Sequence, residues 1–426
     1  MPWLLLALLM VTSCRLCAQG IPRNPPIPEN LGVNIHFTDP QPGEMKELAA
    51  GGFRWVRMDL NWAGTETVKG QYNFSDYDRL FASLAPYNIW PILILDYTNR
   101  FYDRGLSPYD EAGRDAFANW VAAAVEHFRG RGAVWEMYNE PNWTFWSPKP
   151  NVADYIKLAL KVGETIEETA PGETYIGPAG ALIDMKFLKA CFQAGLLNYW
   201  SAVSVHPYRQ MKPETVIDAY GQLRKMIAAD APAGKRIPII AGEWGYPSAR
   251  SWMNLDEHGQ GVMFAREMLT DIAEGVPVTI WYDWRDDGAD PKVAGLHCGV
   301  VHNPYKAGGD PVYSPKPAYI AAQTLARFFA GAAFRKRIAV GGPDNFALLF
   351  TRGPDARLAV WTDGAGPRSV TIAGARGKFA VTSFLGAKLR PLRARRNALT
   401  IVLSNEPQYL APEKVGGLAR VADLAR

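Results

Sequence analysis

Two glutamates in this sequence, Glu140 and Glu243, each follow a short apolar run that is typical of a buried strand. A pair of carboxyl groups can cleave a glycosidic bond when one keeps its proton for the leaving oxygen and the other stays ionised to attack the anomeric carbon. The residue types therefore indicate acid and nucleophile chemistry. Their spacing is compatible with either assignment of the two roles.

Polar and aromatic side chains also stand at the ends of most other apolar runs. Arg57 could hold Glu243 ionised by its opposite charge, and Tyr208 could do so by hydrogen bonding. Asn139 could bind a sugar hydroxyl, and His206 could tune the acid or relay protons. The full set of predicted substrate-binding residues is His36, Arg57, Trp62, Tyr97, Asn139, Trp143, His206, Tyr208, Trp281 and Trp284.

Trp62, Tyr97, Trp143 and Trp284 of this set are candidate platforms for sugar rings, because a sugar has an apolar C–H face that suits a flat ring. The chain has 14 Trp and 18 Tyr, and several stand beside Pro, Gly and Asn in predicted loops. Trp146 and Trp244 are further candidates of the same kind. The alternative for each ring is packing in the core or at the rim.

The elements that must position these residues alternate between short apolar runs and amphipathic stretches, which predicts parallel strands joined by helices. Eight such runs indicate a closed (β/α)8 barrel whose strands end at one face. The predicted strands are Leu31–Phe37, Trp55–Leu60, Trp90–Leu95, Val134–Tyr138, Thr174–Pro178, Ala202–His206, Ile237–Gly242 and Val278–Tyr282. The predicted helices are Asp76–Leu84, Asp115–Phe128, Val152–Glu168, Pro213–Ala229 and Gly259–Ile272.

Residues 20–330 are assigned to this barrel, and the pattern changes after Ala330. Residues 331–412 contain short β-like runs separated by Gly, Pro and Asp, which predict a small antiparallel, sandwich-like domain. Its basic cluster, Lys388–Arg396, could bind an acidic polymer, but an exposed hairpin edge is the favoured interpretation. Residues 413–426 are predicted to be a weakly structured tail.

The first 19 residues are predicted to be a signal peptide. Met1–Val11 is an apolar run too short to span a bilayer, and cleavage is expected near Ala18 or Gly20. The protein is therefore expected to be secreted or periplasmic. Val11–Cys14 resembles a bacterial lipoprotein box, so a lipid-anchored form is an alternative.

The composition excludes several other classes of protein. The 426-residue chain has 46 basic and 42 acidic residues and a net charge of +4, which argues against nucleic acid as a partner. No segment after the leader predicts a membrane span. Two cysteines remain beyond the leader, Cys191 and Cys298, and they could form a disulfide or stay as free thiols. The expected partner is an oligosaccharide or polysaccharide.

We predict neither a cofactor nor a metal site. The six histidines form no His-x-His or His-Glu-x-x-His pattern, although a metal-dependent barrel hydrolase would be expected to carry paired histidines. Asp283, Asp286 and Asp287 are clustered, but their spacing does not match a calcium loop. A structural turn is the favoured interpretation of these three aspartates.

Several motifs resemble glycoside hydrolase clan A. Trp135–Trp143, which contains Asn139-Glu140-Pro141, is similar to the strand-four motif of that clan, and Trp143–Trp146 resembles family 39. Ile239–Gly245 resembles the nucleophile strand of family 5. His206-Pro207-Tyr208 resembles the clan's strand-six motif, and Trp281 or Trp284 its strand-eight tryptophan. The resemblance covers roughly residues 31–330.

This resemblance implies that Glu140 is the acid/base, that Glu243 is the nucleophile and that the anomeric configuration is retained. The expected activity is hydrolysis of β-linked glycans or glycosides. The alternatives are a transglycosylase that uses the same site, a carbohydrate-binding barrel without catalysis, and a structural or adhesion protein of the cell envelope.

Overall fold

A closed barrel of eight parallel strands forms the larger part of the protein, which confirms the predicted fold class. The computed structural model describes residues 21–249 and 253–423. The strands are neighbours in chain order, and the first pairs with the last. They are β1 Leu31–Asn34, β2 Trp55–Asn61, β3 Trp90–Asp96, β4 Val134–Met137, β5 Thr174–Ala181, β6 Val203–His206, β7 Ile239–Trp244 and β8 Thr279–Trp281.

Helices surround the barrel, and each packs an apolar face against the strands. Several begin at a side chain that accepts a backbone N–H, as Asp110, Asn151, Asp184 and Asp256 do. The barrel helices are α1 Glu44–Gly51, α2 Trp62–Thr65, α3 Ser75–Leu84, α4 Glu111–His127, α5 Val152–Thr169, α6 Met185–Gln193, α7 Ile217–Asp230, α8 Glu257–Ala273 and α9 Pro317–Phe328.

Some element boundaries differ from the sequence prediction. Strand β7 extends to Trp244, so Glu243 lies within the strand and not after it. Helices α1, α6 and α9 were not predicted. Helix α1 is short and begins after Gly43, whose φ of 88° is left-handed and whose position offers no side-chain cap. It therefore lacks the usual sequence signal for the start of a helix.

The C-terminal part is an antiparallel β domain, as predicted. One sheet has the strand order β14-β13-β16-β11-β10-β9, and β12 pairs with β15 in a second sheet. The strands are β9 Ala333–Arg337, β10 Asn345–Arg352, β11 Asp355–Thr362, β12 Arg368–Ala373, β13 Lys378–Ser383, β14 Lys388–Arg393, β15 Ala398–Leu403 and β16 Gln408–Pro412. Strands β9, β14 and β16 were not predicted as strands.

The larger sheet has two apolar faces that pack in opposite directions. In β10, Phe346, Leu348 and Phe350 belong to the core shared with the barrel. The alternate residues Ala347 and Leu349 belong to a separate core between the two sheets. Because side chains alternate along a strand, one strand can serve both cores. The sheet therefore packs directly on the barrel.

Helix α8 lies between the barrel and this sheet, and every residue from Gln260 to Ile272 is buried. At the same junction Arg266 donates through Nε and Nη2 to Glu214, at 2.7 and 2.6 Å. The indole N–H of Trp361 in β11 donates to the same carboxylate at 2.7 Å. A buried carboxylate with three donors is well compensated, so Glu214 joins the two parts of the protein.

The basic cluster and the tail have defined positions. Strand β14 is the edge of its sheet and is mostly exposed, which fits the hairpin-edge interpretation of Lys388–Arg396. The tail forms a short helix, α10 Ala419–Asp423. Leu418 and Val421 pack into the core between the sheets. The prediction of weak structure was therefore wrong for this segment, because two apolar side chains at helical spacing are enough to dock it.

The predicted signal peptide, its cleavage position and the lipoprotein-box resemblance fall mainly on residues 1–20, outside the described residues. Across residues 21–249 and 253–423, no helix has the length and apolar character needed to cross a bilayer. Cys191 and Cys298 are buried free thiols, so the structure does not pair them.

Because α8 is covered on all sides, its carboxyl groups are deprived of water. Burial raises the pKa of Asp271 from 3.8 to about 7, although the Thr279 hydroxyl donates to it at 2.9 Å. The folded state therefore binds the proton more tightly than the unfolded chain does. The stability from this group is complete below about pH 4 and is lost as the pH rises to about 7.

We predict that Asp271→Asn removes the decrease in stability that accompanies ionisation of Asp271 at higher pH. Urea unfolding at pH 4 should give similar free energies of unfolding for the variant and the wild type. At pH 8 the variant should be more stable by on the order of 2–4 kcal/mol. Asp218→Asn, at an exposed position of α7, is the control and should follow the wild type at both pH values. The prediction would be contradicted if the free energies of unfolding of the wild type and Asp271→Asn differed by the same amount at pH 4 and at pH 8.

Candidate active site

The centre of the barrel mouth is a buried arginine. Arg57, on β2, donates through Nε to Glu136 at 2.5 Å and through Nη1 to Glu243 at 2.9 Å. Its Nη2 donates to the side-chain oxygen of Asn139 at 2.9 Å. Burial opposes the charge, but the carboxylates of Glu136 and Glu243 raise the pKa of Arg57 above its ordinary value. The guanidinium therefore remains charged and fixes three strands relative to one another.

Glu136 supports Arg57 from below. It is fully buried, and its second oxygen accepts a hydrogen bond from the hydroxyl of Ser204 on β6. Gly242 faces this pair, and a Cβ there would lie 2.2 Å from the Ser204 hydroxyl oxygen and 3.0 Å from Glu136 Oε1. Only glycine leaves room for the polar layer, so Gly242 allows Glu243 to sit directly above it.

Each oxygen of Glu243 has its own donor. The Tyr208 hydroxyl donates to Oε1 at 2.8 Å, and Arg57 donates to Oε2. Burial and the charge of Glu243 raise the pKa of Tyr208 well above its ordinary value, so the phenol keeps the proton that it donates. One charged donor and one neutral donor therefore fix the direction of the Glu243 carboxyl group.

Glu140 stands opposite, on the loop after β4. Its φ of 45° and that of Tyr138, 63°, are left-handed values that are unfavourable for residues with a Cβ. The loop is held by the Glu140 N–H, which donates to the Ala179 carbonyl at 2.8 Å. It is also held by the Tyr138 hydroxyl, which lies 2.7 Å from Ser107 Oγ. Strain of this kind often marks a functional site.

The side chain of Glu140 contacts a histidine. His206 Nδ1 lies 2.9 Å from Glu140 Oε1, and His206 Nε2 is buried without a hydrogen-bond partner among the described residues. With its proton on Nδ1, the ring donates to Oε1. Oε2 of Glu140 has no hydrogen-bond partner among the described residues. Unlike Glu243, Glu140 has no arginine or lysine ion pair among the described residues.

The two glutamates face each other across a narrow gap. One oxygen of each, together with a ring nitrogen of His206, all lie within 4.8 Å of one another. A group that binds between them would contact both carboxyls. His206, Glu140 and Glu243 are also of the types that can ligate a metal ion, and their spacing would permit it.

Asn139 and Tyr97 lie beside this gap. Because the Asn139 oxygen accepts from Arg57, its amide N–H groups are the ones left for a ligand. The pKa of Tyr97 is raised by burial and then by the charge of the nearby Asp96. The ring of Tyr97 stacks on Phe145 at 5.8 Å. Burial and Asp59 in turn raise the pKa of Asp96 well above its ordinary value.

Five of the tryptophans predicted to bind sugar are wrong, because their rings lie in the core. Trp62 is fully buried and stacks on Tyr102. Trp281 is buried beside Phe264 of α8, and Trp284 is buried with its indole donating to Glu44. Trp146 and Trp244 are buried as well. Trp143 differs from all of them, because 57% of it is exposed.

Tyr282 takes the place that was assigned to Trp281. Ile280 lies in the core inside the barrel, so alternation turns Trp281 outward and Tyr282 inward. The Tyr282 ring meets His36 edge-on at 5.5 Å, and its pKa is raised by burial and then by nearby carboxylates that include Glu243. His36 itself is half-exposed at the rim, with Nε2 lying 3.6 Å from Asp283 Oδ2.

The sequence reasoning also missed Asn34, Glu136 and Ser204. Asn34 Oδ1 accepts from Arg57 Nη1 at 3.4 Å and links β1 to the same network. The available sequence signal was a polar residue within an otherwise apolar run, as Glu136 is in Trp135-Glu136-Met137. Such residues point into the barrel below the rim, whereas the predicted site residues stand at the ends of the strands.

Together the fold and the site define a (β/α)8 barrel with an attached β domain and two glutamates facing each other at the carboxyl ends of β4 and β7. Solved structures with similar folds are glycoside hydrolases. A family 39 glycoside hydrolase from Bacteroides cellulosilyticus WH2 superposes with a TM-score of 0.78 at 22% identity, covering 92% of this chain and 81% of that one.

Two further structures show the same fold. A family 39 enzyme from Xanthomonas axonopodis pv. citri has a TM-score of 0.66 at 15% identity, covering 92% of this chain and 96% of that one. A family 39 β-xylosidase from Caulobacter crescentus has a TM-score of 0.65 at 18% identity, covering 92% and 98%. No protein-family model matches the chain, and no curated protein sequence matches it.

We predict that Arg57→Lys reduces kcat/KM for any substrate by about 100-fold, because an ammonium cannot hold Glu136, Glu243 and Asn139 in one plane. Circular dichroism should show the barrel intact. Arg54→Lys is the matched control: Arg54 precedes the same strand at the opposite end, bonds the Phe53 carbonyl, and should tolerate lysine. Equal activity in both variants would show that the planar bridge is unnecessary.

Proposed function

We propose that this protein is a retaining O-glycoside hydrolase that acts on β-linked glycans or glycosides. The observation that carries the proposal is the gap between Glu140 and Glu243, whose facing oxygens lie within 4.8 Å. Retaining enzymes hold their carboxyls about 5–5.5 Å apart, whereas inverting enzymes leave about 6.5–9.5 Å for a water molecule. The short gap favours direct attack by one carboxylate.

The hydrogen bonds favour one assignment of the roles. Glu243 receives a charged and a neutral donor, which suits a nucleophile that must stay ionised. Among the described residues, the side chain of Glu140 hydrogen-bonds to His206 alone, which leaves its second oxygen for a proton and suits the acid. In this mechanism Glu140 protonates the leaving oxygen while Glu243 bonds to the anomeric carbon. Glu140 then deprotonates the water that releases the sugar.

The neighbours of the two glutamates have supporting roles in the proposal. The amide of Asn139 donates to the sugar hydroxyl next to the anomeric carbon, since its oxygen is engaged by Arg57. Tyr282, Tyr97 and His36 line the space for the sugar. The β-linkage is supported by the similar solved structures, which include a β-xylosidase and a family 30 endoxylanase from Clostridium papyrosolvens C71.

The proposed organisation of the chain keeps the boundaries set by its sequence pattern. Residues 1–19 act as an export signal, 20–330 form the catalytic barrel, 331–412 form the β domain and 413–426 follow as a tail. We propose that the mature protein is secreted or periplasmic, since the apolar leader is the feature that supports export. Labelling with a radioactive fatty acid in a bacterial host would detect a lipid-anchored form.

We predict that Glu140→Gln and Glu243→Ala each reduce turnover of aryl β-glycosides by more than about 10³-fold without loss of the fold. The two roles can be separated with azide. In Glu243→Ala, azide should enter the vacated space and give a glycosyl azide of inverted configuration. In Glu140→Ala, azide should attack the glycosyl-enzyme and give the retained configuration.

The wild type should release a sugar whose first-formed anomer, observed by NMR, has the configuration of the substrate. Glu168→Gln is the control, since Glu168 is an exposed carboxyl in the last turn of α5, and it should keep full activity. Release of the inverted anomer, or full activity in either catalytic variant, would contradict the proposal. Sugar transfer that exceeds hydrolysis at high acceptor concentration would instead indicate a transglycosylase.

Trp143 is the remaining tryptophan among the candidate platforms, because it is 57% exposed and follows Glu140 by three residues. We predict that Trp143→Ala raises KM for an oligosaccharide about tenfold, because a stacked aromatic ring contributes roughly 1 kcal/mol beyond area burial. KM for a short aryl glycoside should change little. Tyr87→Ala, at an exposed aromatic that precedes β3, is the control. An equal effect on both substrates would argue against a platform.

A further inference from the structure

A second cluster of titratable side chains lies at the rim between β1 and β8. It consists of His36, which follows β1, and Asp283 and Asp287, which follow β8. One potential ligand atom from each residue lies within 4.8 Å of the other two. All three line a cavity of about 250 Å³, together with Asn34 and Asn303.

Asp283 makes this cluster unusual. Its side chain is almost fully buried, and its Oδ1 has no hydrogen-bond partner among the described residues. Its Oδ2 lies 3.6 Å from His36 Nε2, which is too long for a hydrogen bond. A buried carboxylate without donors is strongly unfavourable unless a cation compensates it. The carboxylate therefore faces the cavity with both oxygens available.

The basic side chains nearby are bonded to other groups. Lys316 Nζ lies 2.9 Å from Asp286 Oδ1 and forms an ion pair with it. Arg285 Nη1 donates to the Tyr313 hydroxyl at 2.7 Å and to Glu44 at 3.3 Å. Neither basic side chain makes an ion pair with Asp283 or Asp287 among the described residues.

We propose that His36, Asp283 and Asp287 bind a divalent metal ion of the zinc or manganese type. An imidazole nitrogen with two carboxylate oxygens suits these ions, whereas calcium prefers an all-oxygen shell. Two ligands of a tetrahedral zinc site are about 3.4 Å apart. The 3.6 Å between His36 Nε2 and Asp283 Oδ2 is close to that separation. This proposal departs from the sequence-based expectation that the barrel has no metal site.

The ion would have open positions toward the cavity, because the chain supplies three ligands. Asn34 lines the cavity and also bonds Arg57, which in turn holds Glu243. An ion at this position could therefore bind hydroxyls of a sugar seated against Glu243. This role rests on the proposed glycosidase function, whereas the binding of the ion does not.

Isothermal titration of Zn²⁺ into the metal-stripped, full-length protein tests the site. The wild type should bind one ion, and His36→Ala and Asp287→Asn should each weaken binding by at least about tenfold. Asp290→Asn is the matched control, because Asp290 is an exposed aspartate on the same loop outside the cluster. The double variant Glu140→Gln/Glu243→Gln should bind as the wild type does.

That double variant separates the rim from the three groups Glu140, His206 and Glu243, which could also hold an ion. Loss of binding in the double variant with full binding in Asp287→Asn would overturn the proposal. So would the absence of binding by the wild type, or unchanged affinity in both rim variants. If Zn²⁺ binds as expected but the protein cleaves no glycoside, the metal site is supported and the proposed glycosidase function is rejected.

Discussion

The buried guanidinium of Arg57 is the interaction on which the barrel mouth depends. It contacts side chains from β4, from the loop after β4 and from β7, so strands that are far apart around the barrel share one cation. Removing one member of such a network leaves a charge without compensation in a region with little water. The geometry of Glu243 is therefore tied to the layer beneath it, down to Ser204 and Gly242.

The same network explains why two identical side chains can differ in behaviour. Glu243 lies on the strand itself and collects donors from the barrel interior. Glu140 lies on a strained loop whose backbone turns it toward His206 and away from the arginine. The environment, and not the residue type, distinguishes the two carboxyl groups, as the proposed roles of acid and nucleophile require. That separation follows from where each strand ends.

Much of the fold could be predicted from the sequence, because hydrophobic periodicity reflects burial directly. The eight apolar runs located the barrel strands, and the loss of helical pattern after Ala330 located the β domain. The exposed edge strand β14 was harder to recognise, because its charged side chains lack the apolar alternation of a half-buried strand. The docked tail was not predicted, because Leu418 and Val421 can be recognised as contact residues only when the core between the two sheets is known.

The site was predicted less completely, for a reason that concerns direction. Composition indicated aromatic platforms, but a ring on a strand faces either the barrel or the helices, and a shift of one residue reverses that. Trp281 and Tyr282 illustrate this, since the neighbour of the chosen residue is the one that faces inward. The cluster of His36 with Asp283 and Asp287 joins the first and last strands, and only closure of the barrel makes them neighbours.

The way Glu214 and α8 are covered has a consequence for how this chain can vary. Trp361 of the β domain donates to the Glu214 carboxylate that Arg266 already binds, and the sheet packs its apolar residues against the core of the barrel. Separating the barrel from the sheet would therefore expose to solvent both the Glu214–Arg266 ion pair and a broad apolar surface. The C-terminal domain therefore cannot be exchanged as an independent module, in the way that accessory domains joined by a linker can. The two parts can change only together.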